Sequence, residues 1–256
     1  MLSIIKVGGK VVEEAPSLSA LLNDFVHLPG LKILVHGGGR SATKLSERLG
    51  IETQMVNGRR ITDAETLNVV TMVYAGLVNK NIVASLQARG VNAIGLSGAD
   101  LNLIKAKKRA VGEIDYGFVG DVVSVQTDEI SQLLHNEVVP VVAPITHDGN
   151  GQLLNTNADT MASALAKALA PLFDVNLVYC FEKPGVMLDQ NDNNSVIASL
   201  NHIEFKRLQG EGIINEGMIP KLDNGFAAID AGVKKVIITN IEGLKGGSFG
   251  GTTLIP

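Results

Sequence analysis

The chain has 256 residues, 45% of them hydrophobic and 19% charged, which excludes a disordered polymer and fits one large α/β domain or two intimate lobes. A formal charge of −4 excludes the basic field that nucleic acid or an anionic membrane would need. The sole cysteine, Cys180, excludes an internal disulfide framework and suits a reducing cytoplasm; no apolar run approaches membrane-spanning length, and MLSIIKVGGK lacks a signal-peptide layout.

In chain order, residues 2–7 predict a buried strand followed by Gly8 and Gly9. Residues 16–28 space their apolar side chains for a helix, with Pro16 near its start and Pro29-Gly30 ending it. LKILVH (31–36) predicts a second strand, Gly37-Gly38-Gly39 a loop, and residues 41–49 a helix. NGRRIT (57–62) turns into a long amphipathic helix over residues 63–89 that Gly90 stops, and residues 91–97 predict another strand. Residues 101–125 alternate in character around Gly112, Gly117 and Gly120, which predicts antiparallel hairpins on one edge.

A short helix over 128–135 and a strand over 138–145 lead into LLNTNAD, where Asn155, Asn157 and Asp159 alternate in a polar loop. Asp159 reads as the N-cap or a first-turn residue of the helix that follows. A strand, a polar loop and a helix in that order is how open α/β sheets build ligand sites at the carboxyl ends of their strands. Residues 173–181 predict a strand buried on both faces, PGVMLD a turn and QNDNN a solvated loop. Helices over 208–214 and 217–231, a core strand over 235–241 and a short edge strand, TTLI, complete the chain. Strands alternating with helices predict an α/β fold with a mainly parallel sheet covered on both faces. The glycine clusters divide it into two lobes, residues 1 to about 170 and about 171 to 256, within one domain.

Lys6 ends a buried strand ahead of Gly8-Gly9, an arrangement that fits a phosphate site: amides approach an anion where no Cβ intervenes, and the lysine adds a point charge. A glycine turn with a snorkelling lysine accounts for it equally well. The P-loop spacing is absent. Gly37-Gly38-Gly39 between a strand and a helix points to close backbone approach to a ligand, without the third spaced glycine of the dinucleotide fingerprint. His36 stands where a hydrogen-bonded structural histidine is commonest. One of Arg59 and Arg60 could grip a substrate carboxylate bidentately. Lys221 reads as a second phosphate clamp or a surface cation, and KAKKR (105–109), without interleaved aromatics, as a solvated hairpin edge. No His/Cys cluster has metal-ligand spacing, Cys180 has no sequence sign of activation, and no G-x-S-x-G elbow occurs.

Together, IIKVGGK, VHGGGR, NGRRIT, DYGFVGDV, LNTNAD and GMIPK, six short motifs in order over almost the whole chain, resemble the amino acid kinase family. N-G-x-R-x-T and N-x-N-A-D are similar to its acylglutamate-phosphorylating branch rather than to its aspartate, glutamate, carbamate or UMP kinases. The resemblance implies a three-layer α/β/α sandwich with an acceptor lobe (1 to about 170) and an ATP lobe (about 171 to 256). It implies transfer of the ATP γ-phosphoryl group to the side-chain carboxylate of an N-acyl-L-glutamate, acetyl or succinyl, giving an acyl phosphate in the second step of arginine biosynthesis. Glutamate 5-kinase, aspartokinase and a non-catalytic amino-acid or nucleotide sensor on the same fold stay open.

By matching positions, the resemblance makes Lys6 and Lys221 neutralise the transferring phosphoryl group, with Asp159 holding both by ion pairing. Gly8, Gly9, Gly38 and Gly39 would offer N–H groups to phosphate. Arg60 would grip the substrate α-carboxylate with Asn155 beside it, Gly38 and Gly39 also touching substrate. Phe181, Gly185 and Lys221 would line the nucleotide site. Mg²⁺ would be held by the ATP phosphates rather than by protein ligands. Phe181 stands where the family usually has Asp, which sets the nucleotide contacts apart. Arginine-inhibited members carry a helix before the first strand; this chain starts almost on that strand, so the resemblance implies a homodimer rather than a hexamer, without arginine feedback, in keeping with the cytoplasmic location that its cysteine usage suggests.

Overall fold

The computed structural model describes residues 1–56, 58–214 and 217–256; Asn57 of the NGRRIT motif, and Asn215 and Glu216 before GMIPK, lie outside the described residues. The elements are β1 (Leu2–Val7), α1 (Gly9–Glu13), α2 (Ala15–His27), β2 (Leu31–His36), α3 (Gly39–Arg48), and a short ribbon of β3 (Met55–Val56) and β4 (Arg59–Arg60). A long helix follows as α4 (Ala64–Val70), a π-helical stretch (Thr71–Val78) and α5 (Asn79–Gln87). Then come β5 (Ala93–Leu96), β6 (Ile104–Lys108), β7 (Gly120–Val125), α6 (Thr127–His135), β8 (Val139–Val142), β9 (Ile145–His147), β10 (Leu153–Asn155) and α7 (Ala158–Leu169). The chain closes with β11 (Val175–Phe181), β12 (Ser199–Leu200), α8 (His202–Gly210), α9 (Ile219–Asp230), β13 (Lys235–Asn240) and β14 (Thr252–Leu254).

Two compact units divide these elements: Met1–Ile33 with Ala162–Pro256, and Leu34–Met161. In the first, strands run in the order β12-β14-β13-β11-β1, parallel except for the β13–β14 pair. Every residue of β1 is buried, and in β11 only Phe181 is partly exposed, so their continuous Val/Ile/Leu content reflects cover on both faces. In the second unit β2, β8 and β5 are parallel, and a separate four-stranded sheet, β10-β9-β6-β7, carries the hairpins expected over 101–125. The α/β class with a mainly parallel sheet is therefore as expected.

Three elements differ from the sequence reading. The helix expected over 208–214 starts earlier, as α8, because the Asn201 side chain accepts the Glu204 N–H and caps it there. The strand expected over 138–145 is two, β8 and β9, which belong to different sheets on either side of Ala143-Pro144. Finally, the helix spanning Ala64–Gln87 is 24 residues long and apolar enough to cross a membrane by length and composition, contrary to the expectation that no stretch comes close. Its Leu67, Val70, Val73, Ile82 and Leu86 are buried in the second unit, where it meets α3, β5, β8 and β10, the placement of a core helix.

Candidate active site

In the second unit the site grows from the end of β2. His36 is fully buried; its Nδ1 donates to the Gly37 carbonyl at 2.7 Å, and Asn79 Nδ2 donates to its Nε2 at 3.1 Å. Burial lowers its pKa to about 4, only partly offset by the bond to Gly37, so the ring is neutral at physiological pH. With both ring nitrogens occupied, His36 is a structural group and not a general base.

Gly38 then caps α3. A Cβ there would lie 2.9 Å from Tyr74 Cδ1, so only glycine lets the loop pass the ring. Tyr74 comes from the π-helical stretch and Asn79 from its end. An i→i+5 winding brings residues five apart onto one face, whereas at 3.6 residues per turn they would be about 140° apart. That winding lets one helix address Gly38 and His36 together.

Arg60, buried on β4, donates to the Gly39 carbonyl at 2.9 Å, to Thr43 Oγ1 at 2.8 Å and to Thr53 Oγ1 at 3.2 Å. Three fixed partners aim one guanidinium at the glycine loop, while its neighbour Arg59 is less buried. Asn155 Nδ2 donates to Thr62 Oγ1 at 3.0 Å, and Thr62 Oγ1 to the Arg60 carbonyl at 3.1 Å. Gly117, at φ 70°, brings the 116–118 segment against Thr62, whose carbonyl accepts the Phe118 N–H at 2.7 Å; a Cβ at Gly117 would stand 2.2 Å from that carbonyl oxygen. The structure thus brings Gly39, Arg60 and Asn155 into one network.

Asn157, not Asp159, caps α7: its Oδ1 accepts the N–H groups of Asp159 at 2.9 Å and Thr160 at 3.1 Å. Asp159 is a buried first-turn carboxylate, favoured there by the helix dipole. KAKKR runs along β6, with Lys105, Lys107 and Lys108 exposed and Arg109 paired with Asp121, as a solvated edge should.

In the first unit Lys6 is buried at the carboxyl end of β1, in register with Tyr179 of β11. The Gly8 N–H donates to the Cys180 carbonyl at 2.9 Å, and a Cβ on Gly8 would sit 3.5 Å from Phe181 Cβ. The Gly8 amide is therefore committed to the sheet, so it is not free to donate to a phosphate as the resemblance implied. Gly9 opens α1. Burial pushes the Cys180 thiol up to about 12, against the pull of the Lys6 charge, which removes it as a nucleophile. Phe181 lines a cleft of about 240 Å³ with Lys10, Glu14, Glu182, Asn240 and Glu242, at the carboxyl ends of β11 and β13. Gly185 has a packing reason: a Cβ would meet Thr252 Oγ1 at 2.7 Å and Val196 Cγ1 at 2.8 Å. Lys221 lies in the first turn of α9, just after Pro220. Among the described residues no group of three or more His, Cys, Asp or Glu side chains could hold a metal ion.

The sequence reading missed Thr43, Thr53, Tyr74 and Asn79. Thr62 and Asn157 stood inside quoted motifs, but nothing in their spacing distinguished a strut from a ligand.

Amino acid kinase family sequences, taken as a profile, match residues 1–240 of the chain. Acetylglutamate kinase of Bacteroides fragilis is 66% identical over 93% of the chain and 91% of its own length. The Methanopyrus kandleri acetylglutamate kinase is 42% identical over 95% and 96%. Among solved structures, smu.665 from Streptococcus mutans aligns over 99% of the chain and 98% of its own at 26% identity and a TM-score of 0.79. Carbamate kinase from Giardia lamblia bound to AMP-PNP aligns over 99% and 98% at 16% identity and 0.67, a likeness of fold. The chain is a member of the amino acid kinase family.

Proposed function

We propose that this protein transfers the γ-phosphoryl group of ATP to the side-chain carboxylate of an N-acyl-L-glutamate, N-acetyl-L-glutamate foremost, giving an acyl phosphate and ADP in the second step of arginine biosynthesis. The observation that carries the reading is the 66% identity, over almost the full length of both chains, to a protein named acetylglutamate kinase. The buried Arg60 aimed at the glycine loop supports it from the geometry.

The chemistry fits the side chains present. A glutamate γ-carboxylate, with an ordinary pKa near 4.3, is already an anionic nucleophile and needs no base. A neutral, doubly engaged His36 and an un-ionised Cys180 are what such a site tolerates. Catalysis is then positioning and charge stabilisation of an in-line transfer. We assign Arg60 and Asn155 to the acceptor, with Arg60 gripping the α-carboxylate, and the amides of Gly38 and Gly39 to the phosphoryl oxygens. Lys6, Lys221 and Asp159 are the charged groups of the transfer, Gly9 lies against phosphate, and Phe181 and Gly185 border the nucleotide. The second unit holds the acceptor determinants and the first those of the nucleotide.

Mg²⁺ would be held mainly by the nucleotide phosphates and would supply charge neutralisation there. The lone buried cysteine is consistent with a cytoplasmic protein. Exposed Met72 (53%) and Leu77 (59%) on the long helix, with exposed Ile94 on β5, support a homodimer through that face.

The test is ADP release from Mg-ATP with N-acetylglutamate, N-succinylglutamate, glutamate or aspartate, and Lys6→Ala as control. Turnover confined to an acylated substrate and lost in the control is expected. Turnover on free glutamate or aspartate alone would overturn the reading.

A further inference from the structure

His36 is more than core filling. A trans peptide is planar, so its C=O and N–H point in opposite directions. The peptide joining Gly37 to Gly38 is flanked by glycine on both sides, and no Cβ opposes its rotation about the adjoining bonds. Its orientation has to be imposed from outside. The structure holds it by the carbonyl: His36 Nδ1 donates to Gly37 O at 2.7 Å. That carbonyl can only accept, so Nδ1 carries the proton and Nε2 must accept. Asn79 Nδ2 meets it at 3.1 Å and donates its other hydrogen to the Val141 carbonyl of β8 at 2.9 Å. Lys80 Nζ donates to Asn79 Oδ1 at 3.2 Å and to the Gly95 carbonyl of β5 at 3.0 Å, which fixes the amide in turn. The tautomer, the ring and the amide are all determined, with strands at the far end of the chain of bonds.

We propose that His36 and Asn79 are positioning residues that lock the Gly37–Gly38 peptide and so aim the Gly38 N–H, opposite the pinned carbonyl, at the phosphoryl oxygens. The inference rests on the phosphate role given to Gly38 above. Among the described residues no acceptor takes the Gly38 N–H, and the ring of Tyr74 leaves Gly38 no room for a side chain. His36 works as a neutral donor held by a neutral amide, so it imposes direction without placing a charge beside the transferring group.

Two substitutions separate this role from packing. The side-chain nitrogen of His36→Asn reaches roughly where Nδ1 stood and keeps the grip on Gly37 O, but leaves the larger void. His36→Gln fills more of the space and reaches towards Asn79, but gives up the Nδ1 position. Crystal structures should show the 37–38 peptide unchanged in His36→Asn and rotated, or split between two orientations, in His36→Gln. In kinetics, His36→Gln should lose about 100-fold in kcat, the scale of one misdirected donor, with the acceptor KM within a few-fold of wild type. His36→Asn should keep kcat within about tenfold despite a lower Tm. Asn79→Leu, which leaves His36 in place but frees its ring, should lower kcat in the same direction and by less. An unrotated peptide in His36→Gln, or kcat values that simply follow Tm, would overturn the proposal. Should the wild-type protein be inactive on acylglutamates, the functional reading fails, and the peptide orientation in the two crystal structures still decides this one.

Discussion

The approach of Gly38 to Tyr74 offers a quantitative check on the glycine loop. A Cβ added at Gly38 would lie 2.9 Å from Tyr74 Cδ1, 3.2 Å from Cε1 and 3.5 Å from Val78 Cγ2. Tyr74 is 6% exposed and cannot swing into solvent, so Gly38→Ala must shift either the ring or the loop. Overpacking of this kind costs about 1–3 kcal/mol. Tyr74→Ala alone removes a buried ring and costs roughly 3–5 kcal/mol, as other large aromatic truncations do. In that background the methyl of Gly38→Ala keeps only the ordinary van der Waals contact with Val78 Cγ2, and its cost should fall below about 0.5 kcal/mol. The pair is therefore coupled by about 1–3 kcal/mol, measurable in a double-mutant cycle. Urea unfolding followed by far-UV circular dichroism suits a chain without tryptophan. Costs that add within about 0.5 kcal/mol would refute the claim that the ring is what forbids a side chain at position 38.

Burial of His36 makes stability depend on pH. Its folded pKa of about 4 lies below the ordinary 6.5, so between those values the unfolded chain takes up a proton that the folded chain refuses. The contribution is complete above about pH 6.5 and declines as pH falls towards 4; at about 1.4 kcal/mol per pH unit it amounts to at most roughly 3.5 kcal/mol. His36→Gln should show a shallower loss of unfolding free energy between pH 7 and 4.5, and an unchanged slope would count against a neutral buried ring. Asn157→Ala should destabilise the protein by about 1 kcal/mol through its two lost capping bonds, whereas Asn157→Ser should recover most of it; equal effects of the two would contradict the cap. Arg60→Lys loses the planar fork that reaches Gly39, Thr43 and Thr53, and should raise the acceptor KM roughly 10- to 100-fold with the ATP KM unchanged; a change confined to ATP would reassign Arg60.

Much of the fold lay open in the sequence because its signals are local. Alternation of apolar strands with amphipathic helices, and glycines at the turns, depend on a few neighbouring residues, so β1, β2, β11 and β13 fall within a residue or two of expectation. The failures come where a distant or competing contact decides. Asn201 outcompetes the later apolar residues in fixing the start of α8. The two-sheet break after β8 depends on tertiary pairing. Of the candidate residues, Lys6, Arg60 and Asn155 are visible in motifs, while Tyr74 and Asn79 sit inside a helix and meet Gly38 and His36 only through π winding that no periodicity announces. The same limit applies to Gly8, whose amide is spent on Cys180 through a strand pairing that a linear motif cannot show.

The most direct test of the central claim is capture of the product. Purified protein incubated with Mg-ATP, N-acetyl-L-glutamate and hydroxylamine should yield the γ-hydroxamate in proportion to ADP, because an acyl phosphate is the intermediate that hydroxylamine intercepts. The Lys6→Ala protein should yield none above background. ADP formed without hydroxamate, or hydroxamate that persists in Lys6→Ala, would contradict phosphorylation of the side-chain carboxylate at this site.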